Sequence, residues 1–383
     1  MIFGYTEEQL TACKGIFTAE EIAQQPDTWR KTINQVAEVW EPLQAFIAKA
    51  SGGDIILTGA GTSEYVGNSL YPALLQKQEG RIHSIGTTDI VATPEAYISP
   101  ERKTLLVSFA RSGNSPESVG AVKAAERVSD KVSHLFITCN PEGELAKLAA
   151  EKDNCFSIVL TPETHDRSFA MTSSFSNMYI AALLALEGCK GKDLEAAVDA
   201  AEKFIKEDFP VLREFIDKED FNRIVYLGSD VLKGIAQESA LKVLELTAGK
   251  AVALFDTPMG FRHGPKSVVD DNTVCVVFLS DYPWTRRYEM DVLKELYRDK
   301  KGSRLIAVTT DAVEGDEPQD YCDLLITMKT KKAGSPNCVL APAYVTVAQS
   351  LAMMYSLRLG ITPDNPCPTG EVNRVVQGVT IYE

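Results

Sequence analysis

The sequence predicts an α/β protein made of two tandem, doubly wound layers, each a parallel sheet of about five strands covered by helices, behind a helical N-terminal extension. Three observations predict it. Short continuous apolar runs, suited to strands buried on both faces, alternate with segments of helical periodicity. The chain repeats itself weakly with a period of about 169 residues, so one strand–helix plan occurs twice. A Ser- and Gly-rich loop follows one of the apolar runs, at the carboxyl end of a strand, where sheets of this kind hold their ligands.

Residues 1–40 read as the helical extension and residues 41–190 as the first domain. Its first strand is Asp54-Ile-Ile-Leu-Thr, followed by Gly-Ala-Gly61; the second copy has Arg223-Ile-Val-Tyr-Leu, followed by Gly-Ser-Asp230. The short runs 81–85 and 251–255 supply a second strand to each half. Thr104-Leu-Leu-Val-Ser-Phe109 pairs with Thr273-Val-Cys-Val-Val-Phe278, Ser133–Thr138 with Ser303–Val308, and the run from Asn154 with the run from Asp323. Between the halves, residues 191–220 are highly charged, with Leu194, Ala197, Val198, Ala201, Phe204 and Ile205 at helical spacing, which predicts a helical linker packed on one side. Residues 221–383 form the second domain and a C-terminal tail.

Composition removes several function classes. Of 383 residues 45% are hydrophobic and 24% charged, and the net charge is −14, with no basic stripe. That excludes the electrostatic footprint of a nucleic-acid binder. The longest apolar stretch, around 179–186, is far short of a membrane span, and the N-terminus lacks the basic and apolar regions of a signal peptide, so a cytoplasmic protein is expected. Its 8 cysteines are scattered singly and its 4 histidines never cluster, so neither a disulfide framework nor a metal site is expected. No cofactor is expected either. Gly59-Ala-Gly61 begins a dinucleotide fingerprint, but Glu64 stands where its last glycine belongs and no acid ends the second strand.

The chemistry concentrates at four places. In Arg111-Ser112-Gly113-Asn114-Ser115-Pro116, Gly113 lets the chain turn back and Pro116 suits the first turn of a helix. The free amides there, with the Ser hydroxyls, are an anion cradle. The second copy reads Ser280-Asp-Tyr-Pro283, whose acid would repel phosphate, so one anion site per chain is expected. At Gly61-Thr62-Ser63 the hydroxyls stand at a helix start, where they either meet a sugar or cap the helix. Glu238, Lys242 and Glu245 share one helical face; for the first two a surface ion-paired face is an equal alternative, whereas Glu245, at the helix end, suits a partly desolvated proton-transferring base. His263 stands in a rigid loop, Pro258-Met-Gly-Phe-Arg-His-Gly-Pro265, placed for a structural or an acid–base role.

These motifs, in this order on a duplicated α/β chain, resemble the sugar isomerase (SIS) domain proteins, including the isomerase module of glucosamine-6-phosphate synthase. The long segments Thr164–Ser174, Phe255–Pro265 and Gly370–Gly378 are similar to the AgaS subgroup, known for galactosamine-6-phosphate deaminase/isomerase and tagatose-6-phosphate ketose/aldose isomerase activities. The resemblance implies tandem flavodoxin-like SIS domains and a phosphate held by Arg111 (through its amide), Ser112, Gly113, Asn114 and Ser115. It further implies Gly61, Thr62, Ser63, Thr172, Ser173 and Gln377 around the sugar, Glu245 as the proton-shuttling base with Lys242 beside it, and His263 opening the ring from the partner subunit of a homodimer. Two departures from the synthase matter. No cysteine-nucleophile glutaminase domain precedes the first α/β copy, which turns the expected reaction toward ammonia release. Gln377 stands where the synthase has an imine-forming lysine, so ring opening and amine chemistry need another route. The implied reaction converts galactosamine 6-phosphate and water to tagatose 6-phosphate and ammonium; a non-deaminating aldose–ketose isomerase and a non-catalytic sugar-phosphate sensor are the alternatives.

Overall fold

A computed structural model describes residues 1–75, 77, 81–311, 313, 315–330, 334–374 and 378–382. It contains two five-stranded, all-parallel sheets. The first comprises β1 (Asp54–Thr58), β2 (Ile82–Ser84), β3 (Thr104–Ala110), β4 (Val132–Thr138) and β5 (Cys155–Val159), in the order β2-β1-β3-β4-β5. The second comprises β6 (Arg223–Leu227), β7 (Val252–Asp256), β8 (Thr273–Phe278), β9 (Arg304–Thr310) and β10 (Leu324–Met328), in the order β7-β6-β8-β9-β10. The two orders are one topology repeated. The central strands β3 and β8 are buried at every residue, as continuous apolar runs require when helices cover both faces.

The chain divides into two compact units that do not follow a single cut. One holds the first sheet, with Asp27–Asp166, Met171–Gly191 and Gly370–Glu383; the other holds the second sheet, with Met1–Pro26, Arg167–Ala170 and Lys192–Thr369. The expected boundaries are corrected accordingly. The extension 1–40 is shared between the units, the helices of 191–220 join the second-sheet unit, and the C-terminal tail joins the first-sheet unit. Sequence position cannot reveal this, because the tail is held by bonds that skip the whole second copy.

In the linker helix Gly191–Lys203, Leu194, Ala197, Val198, Ala200 and Ala201 are buried, as the periodicity predicts. The 22-residue helix Asn337–Arg358 has no polar face and is buried almost from end to end. It is long and apolar enough to cross a membrane by length and composition, yet its most apolar window lies wholly inside the unit, so it is a core helix. The apolar stretch at 179–186 was therefore not the longest such signal. Tyr344 Oη donates to the Leu279 carbonyl at 2.8 Å and Ser356 Oγ donates to the Leu246 carbonyl at 2.5 Å, which ties this helix to β8 and to the helix Val231–Leu246.

Within the first-sheet unit, His134 on β4 is fully buried, stacks on Phe136 with ring centroids 5.7 Å apart, and lies 3.5 Å from Glu126. Burial pushes its imidazole down to about 4, against the opposing pull of Glu126. The unfolded chain takes up a proton as the pH falls through about 6.5, whereas the fold refuses it until about 4. Stability is therefore whole above this window and falls inside it, by about 3 kcal/mol in total. Urea unfolding at pH 7 and pH 4.5 should show that slope, and His134→Leu should remove it.

Candidate active site

The anion cradle forms as its residues dictate. Gly113 has φ +67°, and a Cβ there would meet Thr138 Oγ1 at 3.3 Å, so glycine is required both by the turn and by the close approach. Pro116 opens the helix Pro116–Val128, and Ser115 is its N-cap: its hydroxyl accepts from the Ser118 amide at 3.2 Å and donates to Ser118 Oγ at 2.7 Å. Ser112 Oγ accepts from the Asn114 amide at 3.3 Å. The Asn114 side chain turns away from the loop, its Oδ1 accepting the Glu144 amide at 2.9 Å at the next helix. Arg111 is buried, and its guanidinium donates to the Arg374 carbonyl at 2.8 Å.

Beside β1, Gly61 is the N-cap of the helix Thr62–Leu74, with φ +56° and ψ −126°. Thr62 and Ser63 lie inside the helix, past its N-cap position; Ser63 Oγ stands 3.9 Å from Met171 Sδ. In the second copy Asp230 adopts the same angles, φ +55° and ψ −129°, so the fold imposes this turn in both copies, without strain on glycine and with strain on aspartate. The second cradle is also filled from within. The Ser280 amide donates to Glu289 Oε2 at 2.7 Å, and burial pushes that carboxyl up to about 7. Asp281 is buried too, accepting the Thr310 hydroxyl at 2.5 Å.

Thr172 and Ser173 converge on a residue that the sequence reading missed. Asp166 is fully buried and accepts the amides of Thr172 at 2.9 Å, Ser173 at 3.2 Å and Ser174 at 2.9 Å. It also accepts the hydroxyls of Ser173 at 2.6 Å and Ser174 at 2.5 Å. One carboxylate thus caps the helix Ser173–Ala182 and fixes the segment before it. The Ser173 hydroxyl gives its proton to Asp166. The Asp166 carbonyl accepts from the Arg374 guanidinium, so Arg111, Arg374 and Asp166 form one chain of bonds. An acid a few residues before Thr-Ser-Ser was the available signal. Half-buried His165, flanked by Arg374 and Arg111, is pushed below its usual value, first by burial and then by those two cations.

In the other unit, Glu238, Lys242 and Glu245 lie on the helix Val231–Leu246. The surface alternative is wrong for the first two. The side chains of Glu238 and Lys242 are 0% exposed and that of Glu245 is 22% exposed, whereas Leu241 and Leu244 are only partly buried. This helix turns its charges inward, against the usual amphipathic order. Lys242 Nζ lies 3.4 Å from Glu238 Oε1 and bonds Glu245 Oε2. Burial pushes the Lys242 ammonium down, but the two carboxylates outweigh it and its value is raised, so it is a cation at neutral pH. Glu245 is the member of the row with its side chain partly open. His263 is exposed, in the turn after the short helix Pro258–Phe261, and its amide donates to the Gly260 carbonyl at 2.9 Å.

The cradle, Gly61–Ser63 and Thr172–Ser173 thus belong to the first-sheet unit, and Lys242, Glu245 and His263 to the second. Gln377 lies outside the described residues. Among the described residues, no group of three or more His, Cys, Asp or Glu side chains is placed to hold a metal ion.

Two copies of a doubly wound sheet, one with a Ser/Gly loop at a helix start and the other with an inward-facing acid–lysine–acid row, define a duplicated α/β protein. The chain belongs to the SIS domain family, whose model matches residues 47–188, and within it to the AgaS group of sugar-phosphate deaminases and isomerases. It is 42% identical to the D-galactosamine-6-phosphate deaminase AgaS of Shewanella sp. (strain ANA-3), over 98% of this chain and 94% of that protein. A solved structure from Clostridium novyi NT matches with a TM-score of 0.94 and 43% identity, covering 100% of this chain and 99% of that one. The tagatose-6-phosphate ketose/aldose isomerase of Escherichia coli matches with a TM-score of 0.87 and 39% identity, covering 96% and 97%.

Proposed function

We propose that this chain is a deaminating isomerase that converts galactosamine 6-phosphate and water to tagatose 6-phosphate and ammonium. The observation that carries the reading is the buried Glu238–Lys242–Glu245 row, whose last carboxylate is partly open, in a chain 42% identical to a named deaminase of this substrate. The phosphate sits in the loop Arg111–Ser115. His263 assists ring opening, and Glu245 takes the C2 proton of the open aldehyde and returns it to C1, leaving an imine at C2. Water adds to that carbon and ammonia leaves. Proton transfer between adjacent carbons needs only a placed base and donors to the developing oxyanion, so no cofactor takes part. Lys242, a buried cation, bonds the Glu245 carboxylate and holds it in place at the end of the row.

Ammonia release from galactosamine 6-phosphate, measured beside glucosamine 6-phosphate, tests the reading; ketose formation without ammonia from a neutral aldose 6-phosphate would replace it with plain isomerisation. The likeness to the tagatose-6-phosphate ketose/aldose isomerase of E. coli supports that second reading.

Ser112→Ala with Ser115→Ala should raise KM strongly, since each hydrogen bond lost to a charged group is worth about 1.5–3 kcal/mol. Ser115→Ala also strips a helix cap, at about 1 kcal/mol of stability, so a thermal melt should accompany the kinetics. An unchanged KM would place the phosphate elsewhere, and Thr285→Ala in the second copy should do little. The functional unit is a homodimer in which His263 serves the partner's site. Mixing Glu245→Gln protein with His263→Ala protein should restore part of the activity through hybrid dimers, and failure despite demonstrated subunit exchange would put both residues in one chain's site.

A further inference from the structure

His263 lies in a loop whose two flanking cations close on one carboxylate. Arg262 Nε donates to Glu295 Oε2 at 2.7 Å, and Lys266 Nζ donates to Glu295 Oε1 at 2.5 Å. Lys266 also reaches Asp299 Oδ2 at 2.6 Å, and Asp299 is the C-cap of the helix Pro283–Arg298 that carries Glu295. The three side chains of the clamp are between 21% and 28% exposed, whereas the His263 they bracket is open to solvent. Lys266, through its hydrogen bond, is the leading cause holding the Glu295 carboxyl below its usual value, so it is ionised at neutral pH and binds both cations as a charge. The loop needs such a fixture. Gly264, directly after His263, has φ +118°, and the segment from Arg262 to Gly264 is held only by local backbone bonds: Arg262 N to Met259 O at 3.3 Å, His263 N to Gly260 O at 2.9 Å and Ser267 N to Gly264 O at 3.0 Å.

We infer that Glu295 is a positioning residue for His263. It grips the residues on either side of the histidine with its two oxygens and ties them to a rigid 16-residue helix, so that the exposed imidazole is presented in one orientation. The inference rests on the ring-opening role proposed for His263. An exposed side chain on a loop otherwise samples several rotamers, and a group that must reach a ring oxygen gains from having its backbone fixed beforehand. The clamp spans 33 and 29 residues of sequence, and neither pairing follows from any motif.

The test isolates ring opening from the later chemistry. In Glu245→Gln protein, where proton transfer is blocked, interconversion of the α and β anomers of bound galactosamine 6-phosphate is followed by NMR exchange. Adding Glu295→Gln should slow it roughly 10- to 100-fold, the scale of a misplaced catalytic group, with the dissociation constant unchanged within about twofold. On a His263→Ala background the same Glu295→Gln change should slow it no further, because the clamp acts only through the imidazole. Arg262→Gln with Lys266→Gln opens the clamp from its other side and must reproduce the effect, which guards against a folding defect at Glu295. Anomer exchange as fast as in the Glu245→Gln parent, with His263→Ala slow, overturns the role of Glu295 alone. Fast exchange in the His263→Ala protein overturns the reading of His263 and this inference with it.

Discussion

Glu245→Gln is expected to bind galactosamine 6-phosphate almost normally and to lose both ammonia release and the exchange of the C2 hydrogen with deuterated water. The amide keeps the volume of the carboxylate and can still accept a hydrogen bond from the buried Lys242, so the helix Val231–Leu246 has no reason to move. What it cannot do is take a proton. A placed base contributes about 10²–10⁴-fold, so the loss should fall in or above that range. His263→Ala separates from it in kind: some C2 exchange survives, because the open aldehyde also forms spontaneously and Glu245 is intact. If Glu245→Gln costs less than about tenfold, the base is another residue. Glu238 is the next on that face, but its side chain is 0% exposed, while that of Glu245 is 22% exposed.

Asp166→Ala is expected to give the largest loss of stability among single changes around the Thr172–Ser174 segment. The carboxylate accepts three backbone amides, the hydroxyls of Ser173 and Ser174 and, at 3.5 Å, that of Thr172, in a place with no exposure. Its removal strands donors at the buried N-terminus of Ser173–Ala182, where water does not replace it. Unsatisfied buried groups cost about 1–3 kcal/mol each, so a total of roughly 3–5 kcal/mol follows even after partial relaxation. Denaturant unfolding measures it. Asp166→Asn, which keeps one acceptor oxygen, should recover part of the loss and still raise KM, since the Thr172–Ser173 segment is only half restrained. A change below about 1 kcal/mol for the alanine variant would mean that the cap is not what holds this segment.

The local features were legible because their causes are local. A β run, a glycine that turns the chain and a proline that starts a helix act over a handful of residues, so the cradle at Arg111–Ser115 and the helix after Pro116 can be read directly. The matching order of the two sheets follows from the repeat. The charged face of Val231–Leu246 was legible only as a face, since spacing of three and four residues is shared by exposed ion pairs and by a buried acid–lysine–acid row. Asn114 shows the same limit from the other side: its position in the loop was evident, but its side chain caps the neighbouring helix at Glu144.

By itself the sequence determined the duplicated α/β plan, the strand at the foot of each loop, the Gly113 turn and Pro116 helix start of the Ser-rich loop, and the group of proteins to which the chain belongs. Only the tertiary structure decided that the charges of Glu238 and Lys242 point inward, that Asp166 gathers Thr172, Ser173 and Ser174, that Glu295 grips Arg262 and Lys266 on either side of His263, and that the C-terminal tail joins the first-sheet unit. The reason is the same in each case. Periodicity and turn chemistry report which backbone conformation a segment prefers, whereas the state of a buried charge depends on partners brought from distant parts of the chain, and these exist only once the helices have packed.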